Sequence, residues 1–380
     1  MALRVTLHNS FERPELRAAW ERLSAASPRA SLFSTCEWCR AWADTVGHSA
    51  DVAILLFEDQ EGNVVGLLPA CLERRGPVRW LKFLGREGVS GDHLDLLCAP
   101  ADQHACLDAL IAYLDQNGRY HGLVLGELER TSLTLERVRD WARAHAYRVH
   151  EREQRVVPCV DLPSSFDAYL ASLSANMRYH IRRRRRELER LPGAAIGLRR
   201  DMAEVEPALD DLFALHERRW RSAGHPGGFQ SPRKRQFLVQ FCRAACARGW
   251  TRCYVLECDH VRQGVLLAFH WRATASFYQM GWHPQSPIRS PGVVLLAESI
   301  AQTIREGIPT YDLLRGAEDY KWKWTTRFIE QTTLVVGRDL PARAAMTVEQ
   351  AKDRCKHLVR RTLGPRAWET VKRCLKGPVP

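Results

Sequence analysis

The chain has 380 residues, 45% of them hydrophobic and 26% charged, a globular composition long enough for two domains at roughly 150 residues each. That excludes collagenous, coiled-coil and wholly disordered chains. No stretch approaches the roughly 18 uncharged apolar residues of a membrane-spanning helix, and the opening MALRVTLHNSFERPE breaks its apolar run with charge before a signal-peptide core forms, so a soluble, cytoplasmic protein with no membrane span is expected.

The net charge of +12 is localised. Residues 176–190 hold seven arginines against Glu187 and Glu189, and residues 347–380 hold nine Lys and Arg against three acids, while the rest is close to neutral. Two basic patches on a neutral body suit phosphate-bearing ligands, an acidic partner or nucleic acid. The twelve cysteines are expected to be free thiols, because a chain without an export signal sits in a reducing compartment. Cys36-Glu37-Trp38-Cys39 lacks a second CxxC or a histidine pair at zinc spacing, so it reads as a buried pair on an amphipathic helix and no metal is expected.

In chain order, the first half predicts helices near 13–25 and 36–46, strands near 51–58, 63–72, 78–84 and 94–98, a helix at about 103–116 and a strand at 123–127. Two prolines mark a linker at about 156–165. The second half predicts a helix over 166–191, a strand near 195–199, helices over 203–221 and 232–248, and strands near 251–257, 264–271 and 274–282. A helix over 291–306, a strand at 309–314, a short helix at 318–325 and a strand at 330–336 follow. Gly66-Leu67-Leu68 and Gly264-Val265-Leu266-Leu267 each restart a strand after a polar turn, and with the shared order of elements they point to an internal repeat of diverged domains.

The most telling stretch runs from Tyr278 to Val294, from a strand through Arg289-Ser290-Pro291-Gly292-Val293 into a helix. Ser290 suits an N-cap, Pro291 the first helical position, and Gly292 lets backbone approach a ligand closely. The exposed N–H groups and positive dipole end, with Arg289 beside them, suit a phosphate or pyrophosphate, although an ordinary capped helix has the same pattern.

Arg289-Ser-Pro-Gly292 entering this helix, with Tyr311-Asp-Leu-Leu-Arg-Gly316 continuing into Tyr320-Lys-Trp-Lys-Trp324, resembles GNAT-type acyltransferases. It is more narrowly similar to the cellulose-biosynthesis-associated, CelD-like branch, related to the Fem-type peptidyl transferases. Asn176–Glu187 resembles that branch's basic helix and Ser31–Trp38 its N-terminal half, so the likeness covers about 30–340. It implies an α/β fold of tandem GNAT-like domains, each a mixed, mostly antiparallel sheet flanked by helices. Residues 1–160 would be a degenerate copy, 161–340 the acyltransferase domain and 341–380 a basic helical tail. The family's pyrophosphate loop, Q/R-x-x-G-x-G/A, is matched by Arg289 and Gly292 but has Val294 at the last position.

The resemblance implies acyl-CoA as co-substrate, with no permanently bound cofactor, and a thioester held in a wedge between strands 274–282 and 309–314, where backbone groups polarise its carbonyl. Tyr320 is the candidate acid for the leaving thiolate, or else packs beside Trp322 or Trp324. Asp312 and Glu318 are candidate bases, with His270 and His283 as alternatives, and Asp312 could instead be a structural partner of Arg315. The first half's loop Leu97–Asp102 has no glycine, and Asp102 occupies the dipole's anion position, so that half is not expected to bind CoA. Asp92, His93 and Asp95, with His270 and Arg315, are candidate acceptor-binding residues, although Ser90–Asp95 also suits a solvated turn. The arginine run at 182–186 is either a solvated helix face or a reader of acidic surface or phosphate. The function expected is transfer of an acyl group, from acyl-CoA or carrier-protein pantetheine, to the amine of an amino sugar or amino-acid-derived metabolite. The alternatives are an aminoacyl-tRNA-dependent ligase and a non-catalytic scaffold in polysaccharide assembly, so an acyl carrier protein or tRNA remains a candidate partner.

Overall fold

The computed structural model describes residues 3–222, 228–351 and 354. Its first half runs β1 (Arg4–His8), α1 (Pro14–Ala26), a 3₁₀ turn, α2 (Cys36–Asp44), β2 (Asp51–Val52), β3 (Ile54–Glu58), β4 (Val64–Leu68), β5 (Ala70–Arg75), β6 (Val78–Phe83), β7 (Leu97–Cys98), α3 (Gln103–Gln116), β8 (Gly122–Glu129), α4 (Leu133–Ala144) and β9 (Arg148–Asp161). The second runs α5 (Phe166–Ser172), α6 (Ala175–Arg190), β10 (Ala194–Arg199), α7 (Met202–Ser222), α8 (Pro232–Ala247), β11 (Thr251–Cys258), β12 (Val261–Trp271), β13 (Thr274–Trp282), α9 (Pro291–Arg305), β14 (Thr310–Asp312) and β15 (Phe328–Gly337). Residues 340–351 are helical, and most of the expected basic tail lies outside the described residues.

The helix expected over 166–191 is broken, because Ser174 leaves helical geometry and its Oγ accepts from the Met177 N–H to start α6 afresh. Helix α4, unanticipated, is capped in the same way by Ser132 on the Leu135 N–H and buries Leu135, Val138 and Trp141. The helix expected at 318–325 is a single 3₁₀ turn, Lys321–Lys323.

Eleven strands form one sheet in the order β10-β11-β12-β13-β14-β9-β15-β8-β6-β5-β2, and β1-β3-β4-β7 form a second. The repeat is legible in this order. Each half makes an antiparallel hairpin, β5–β6 or β12–β13, then crosses through a helix to a parallel partner, β8 or β14. The next strands are exchanged: β9 joins β14 of the second half, β15 joins β8 of the first, and the two pair with each other between them. The expected linker at 156–165 is therefore corrected, since most of it is the end of β9. Pro158 is tolerated there because its position in the sheet uses its carbonyl, which accepts from the Leu313 N–H.

Alternate residues of β11–β13 feed opposite layers. Val255, Val265, Leu267 and Phe269 join α7, α8 and much of the first half in one core, while Leu256, Leu266, Ala268, Ala275 and Phe277 meet α5, α6 and α9 in another. Trp38 of α2 joins the halves through edge contacts with Phe237 and Phe241 of α8, each at 4.8 Å. The CxxC helix is thus core structure, with Cys36 and Cys39 buried as free thiols and burial pushing the Cys36 thiol up to about 11.

Helix α7 lies close to β13 because Gly281 has no side chain: a Cβ there would sit 2.8 Å from the His216 nitrogen and 3.2 Å from the Leu212 oxygen, both backbone atoms. Gly281→Ala is expected to lower stability by about 1–3 kcal/mol, as overpacked sites do. Denaturant unfolding checks this; an unchanged midpoint would mean that α7 shifts without strain.

Candidate active site

The parallel pair β13 and β14 is in register only from Thr274–Ser276 to Thr310–Asp312. Beyond that point the chain is drawn off. Asp312 Oδ1 accepts from the Leu314 N–H at 2.7 Å, and Leu314 takes a left-handed conformation with φ 56°. Leu313 and Gly316 then donate to the Pro158 and Val156 carbonyls of β9. Past Ser276, β13 runs on to Trp282 paired with β12 on one edge and no longer with β14 on the other, and a cavity of about 850 Å³ opens in the wedge. Phe277–Met280 of β13 and Leu313–Arg315 face each other across it.

The start of α9 closes one end, with Ser290, Pro291, Gly292 and Val293 all in the wall. A Cβ on Gly292 would lie 3.1 Å from Trp282 and 3.2 Å from Met280, so only glycine lets this turn settle onto β13 without moving those side chains. Ser290 departs from expectation: it is left-handed, with φ 54°, and its hydroxyl caps nothing. Arg289 is exposed and lies outside the cavity wall. What faces the cavity is therefore a helix N-terminus rather than an arginine.

Of the expected catalytic residues, Tyr320 and Glu318 line the cavity. Tyr320 is 36% exposed, and Glu318 is 3.1 Å from Lys321 Nζ. The Lys321 ammonium, itself buried, also donates to the Leu314 and Arg315 carbonyls at 3.0 and 2.9 Å and so fastens the loop that carries both. Asp312 does not line this cavity. Its second oxygen is 2.9 Å from His93 Nε2, and both belong to a separate cavity of about 290 Å³. His270 is buried against Glu306 at 2.9 Å and Thr303 at 3.2 Å, away from both cavities, and its pKa is lowered chiefly by burial. His283 accepts from the Gln285 N–H within a turn.

Past the exposed Ser90, the segment Gly91–Asp95 is a largely buried junction between the halves rather than a solvated turn. Asp92 is fully buried and accepts from the Arg315 N–H at 3.0 Å, and Asp95 accepts from Ser132 Oγ at 2.6 Å. His93 lies between Asp312 and Glu129. Burial alone would disfavour its charge, but the two carboxylates prevail and hold its pKa well above the usual value. Arg315, rather than pairing with Asp312, places Nη1 2.6 Å from Glu127 and lines the main cavity.

His180 of α6 and His216 of α7 also line the cavity, and neither was anticipated. His180 is held below its usual pKa by burial and by Arg184, Lys323 and Arg183. The signal for it was spacing: Asn176, Met177 and His180 share one helical face, and all three line the wall. The arginine run beside them is largely paired, Arg183 and Arg184 with Glu187, Arg182 with Asp167, and Arg185 with Glu298 of α9 while lying over the Phe166 ring.

Residues 175–322, which hold this splayed parallel pair and helix N-terminus, match the family model for an acetyltransferase (GNAT) domain. The solved structures similar to the chain include FemX, at 10% identity and TM-score 0.62, covering 91% of this chain and all of that one. A conserved protein of unknown function from Bacteroides thetaiotaomicron is similar at 10% identity and TM-score 0.57, covering 88% of this chain and 100% of that one. L-PGS from Bacillus licheniformis is similar at 11% identity and TM-score 0.53, covering 90% and 96%. A search of curated protein sequences gives no match. At these identities the likeness is one of fold, and it extends over both halves. Among the described residues, no helix is long and apolar enough to cross a membrane.

The His93 cluster has a pH signature. Its folded pKa lies above the unfolded value of about 6.5, so its stabilisation is complete below that pH and is lost as pH rises through the folded pKa. His93→Gln should therefore cost most stability near pH 6, with the gap from the native protein narrowing at alkaline pH. Urea unfolding at pH 6 and pH 9 measures it, and a gap independent of pH would contradict a charged His93.

Proposed function

We propose that the protein is an N-acyltransferase that moves an acyl group from acyl-CoA, or from carrier-protein pantetheine, to the amine of an amino sugar or amino-acid-derived metabolite. The observation that carries this reading is the wedge between β13 and β14, which ends on the N-terminus of α9. The pyrophosphate is met by the backbone N–H of Gly292 and by the helix dipole, the Val293 N–H being already donated to the Ser290 carbonyl. The pantetheine arm runs along the unpaired edge of β13, where backbone groups polarise the thioester carbonyl. A neutral amine attacks that carbonyl carbon, the C–N bond forms and the C–S bond breaks. Glu318, the carboxylate in the cavity wall, takes the amine proton directly or through water, and Tyr320 donates to the departing thiolate.

The competing reading, an aminoacyl-tRNA-dependent ligase, draws on the fold shared with FemX and on the arginines of α6. The pairing of those arginines with Glu187, Glu298 and Asp167 favours the acyl-CoA reading, since it leaves less charge for a phosphate backbone. Replacing Arg183, Arg184 and Arg186 together should leave folding and acyl-CoA affinity intact; salt-dependent tRNA binding that the triple variant loses would instead favour the ligase.

Calorimetry with acetyl-CoA and longer acyl-CoAs tests donor binding. Gly292→Glu, which adds bulk and negative charge at the helix start, should weaken binding by about 1–3 kcal/mol. With a turnover assay in hand, Tyr320→Phe should reduce kcat by about 10²-fold or more, while acyl-CoA affinity and Tm hold. An unaffected kcat would make Tyr320 structural.

A further inference from the structure

The two ends of the wedge differ in chemistry. At one, Gly292 rests against Met280 and Trp282. At the other, nearer the point where β13 and β14 part, Tyr278 donates to the Val89 carbonyl, and Ser90 and Arg315 enter the wall. Arg315 is fixed on one edge only. Its Nη1 is 2.6 Å from Glu127 and donates to the Gly91 carbonyl at 3.1 Å; its backbone N–H is held by Asp92 and its carbonyl by Lys321. Among the described residues no hydrogen bond engages its Nε or Nη2, so the side edge of the guanidinium is available to the cavity that the residue lines. That edge presents two parallel N–H donors, the geometry that grips a carboxylate or phosphate in bidentate fashion.

The carboxylate that orients Arg315 does not neutralise it. Glu127 is 1% exposed and serves three guanidiniums at once: Arg315 at 2.6 Å, Arg86 at 3.2 Å and Arg155 at 3.3 Å. Of the other acids nearby, Glu318 is paired with Lys321 and Asp312 with His93, while burial pushes Asp92 toward its neutral form.

We propose that Arg315 is an anion-binding, specificity-determining residue of the acceptor subsite, so that the acceptor is an amine that also carries a carboxylate or phosphate, and that Glu127 of the first half is its positioning residue. This rests on the acyltransferase reading for the word acceptor, but the anion subsite itself does not require turnover. It also gives the first half a task in the reaction. Glu127 and the Ser90–Asp92 segment hold one edge of the guanidinium so that the other stays aimed at the ligand.

The test is calorimetry on full-length protein saturated with CoA, using matched amine probes: β-alanine against β-alaninamide, and glucosamine 6-phosphate against glucosamine. The acid member of at least one pair should bind about tenfold or more tightly than its neutral partner, as a bidentate charge-assisted contact implies. Preference confined to β-alanine assigns the subsite to carboxylates, and preference confined to the sugar phosphate assigns it to phosphates. Arg315→Gln and the charge-preserving Arg315→Lys should both abolish the preference without changing CoA affinity, and Glu127 should still hold Arg86 and Arg155 in each, keeping the fold intact. Equal binding within both pairs, saturation by none of the probes, or a preference that survives in Arg315→Gln overturns the proposal. If CoA itself does not bind, the donor reading fails separately, and the probes are titrated into the protein alone with the same criteria.

Discussion

The cavity exists because β14 ends where it does, and β14 ends there because of Asp312. One carboxylate oxygen takes the Leu314 N–H and bends the chain through a left-handed residue; the other is held by His93 from the first half. Parallel strands left to themselves stay in register until their hydrogen-bonding partners run out. Here the ladder with β13 is cut after three residue pairs, while the departing chain stays bound to the carbonyls of β9, its partner on the other edge. An acidic residue at a strand end thus shapes the reaction space without touching the ligand.

The same device makes the two halves interdependent. Strands β9 and β15 each follow one half's parallel strand and pair with the other's, so neither half completes its sheet alone. Of the polar groups that meet at this exchange, Asp312 and Glu127 are nearly removed from water, while His93 and the three arginines around Glu127 are partly buried. Buried charges of this kind are costly unless mutually satisfied, and removing one partner is far more damaging than the pair is stabilising. Their net effect is therefore read as geometry: they fix the register of the halves and the direction in which Arg315 points.

Much of this was legible in the sequence. The apolar periodicity of α9, the glycine at its first turn and the order of elements in the second half placed the closing helix, because each depends on local patterning, whereas the wedge was implied by the resemblance to GNAT-type acyltransferases. Tyr320, Glu318 and Arg315 were placed in the wall by their position after β14. The exchanged strands were not legible. β9 contains charged and polar residues between Arg152 and Arg155 as well as Pro158, and its place is decided by pairing on both edges rather than by an alternating buried face. Nor does sequence reveal whether a strand-end aspartate is a base or a strand terminator. Asp312 became the second because its partner, His93, comes from a segment more than two hundred residues earlier that reads as a turn. Arg289 stands beside the anion-suited helix end in sequence, and in the structure it is exposed and outside the wall.

The most direct measurement of this account is a crystal structure with a non-hydrolysable acyl-CoA analogue. The account places the pyrophosphate at the Gly292 amide and the N-terminus of α9, the pantetheine along β13 between Phe277 and Met280, and the acyl carbon opposite Leu313–Arg315, with the Asp312–His93 contact unchanged. An analogue bound elsewhere on the protein, or a wedge that closes when it binds, would contradict it.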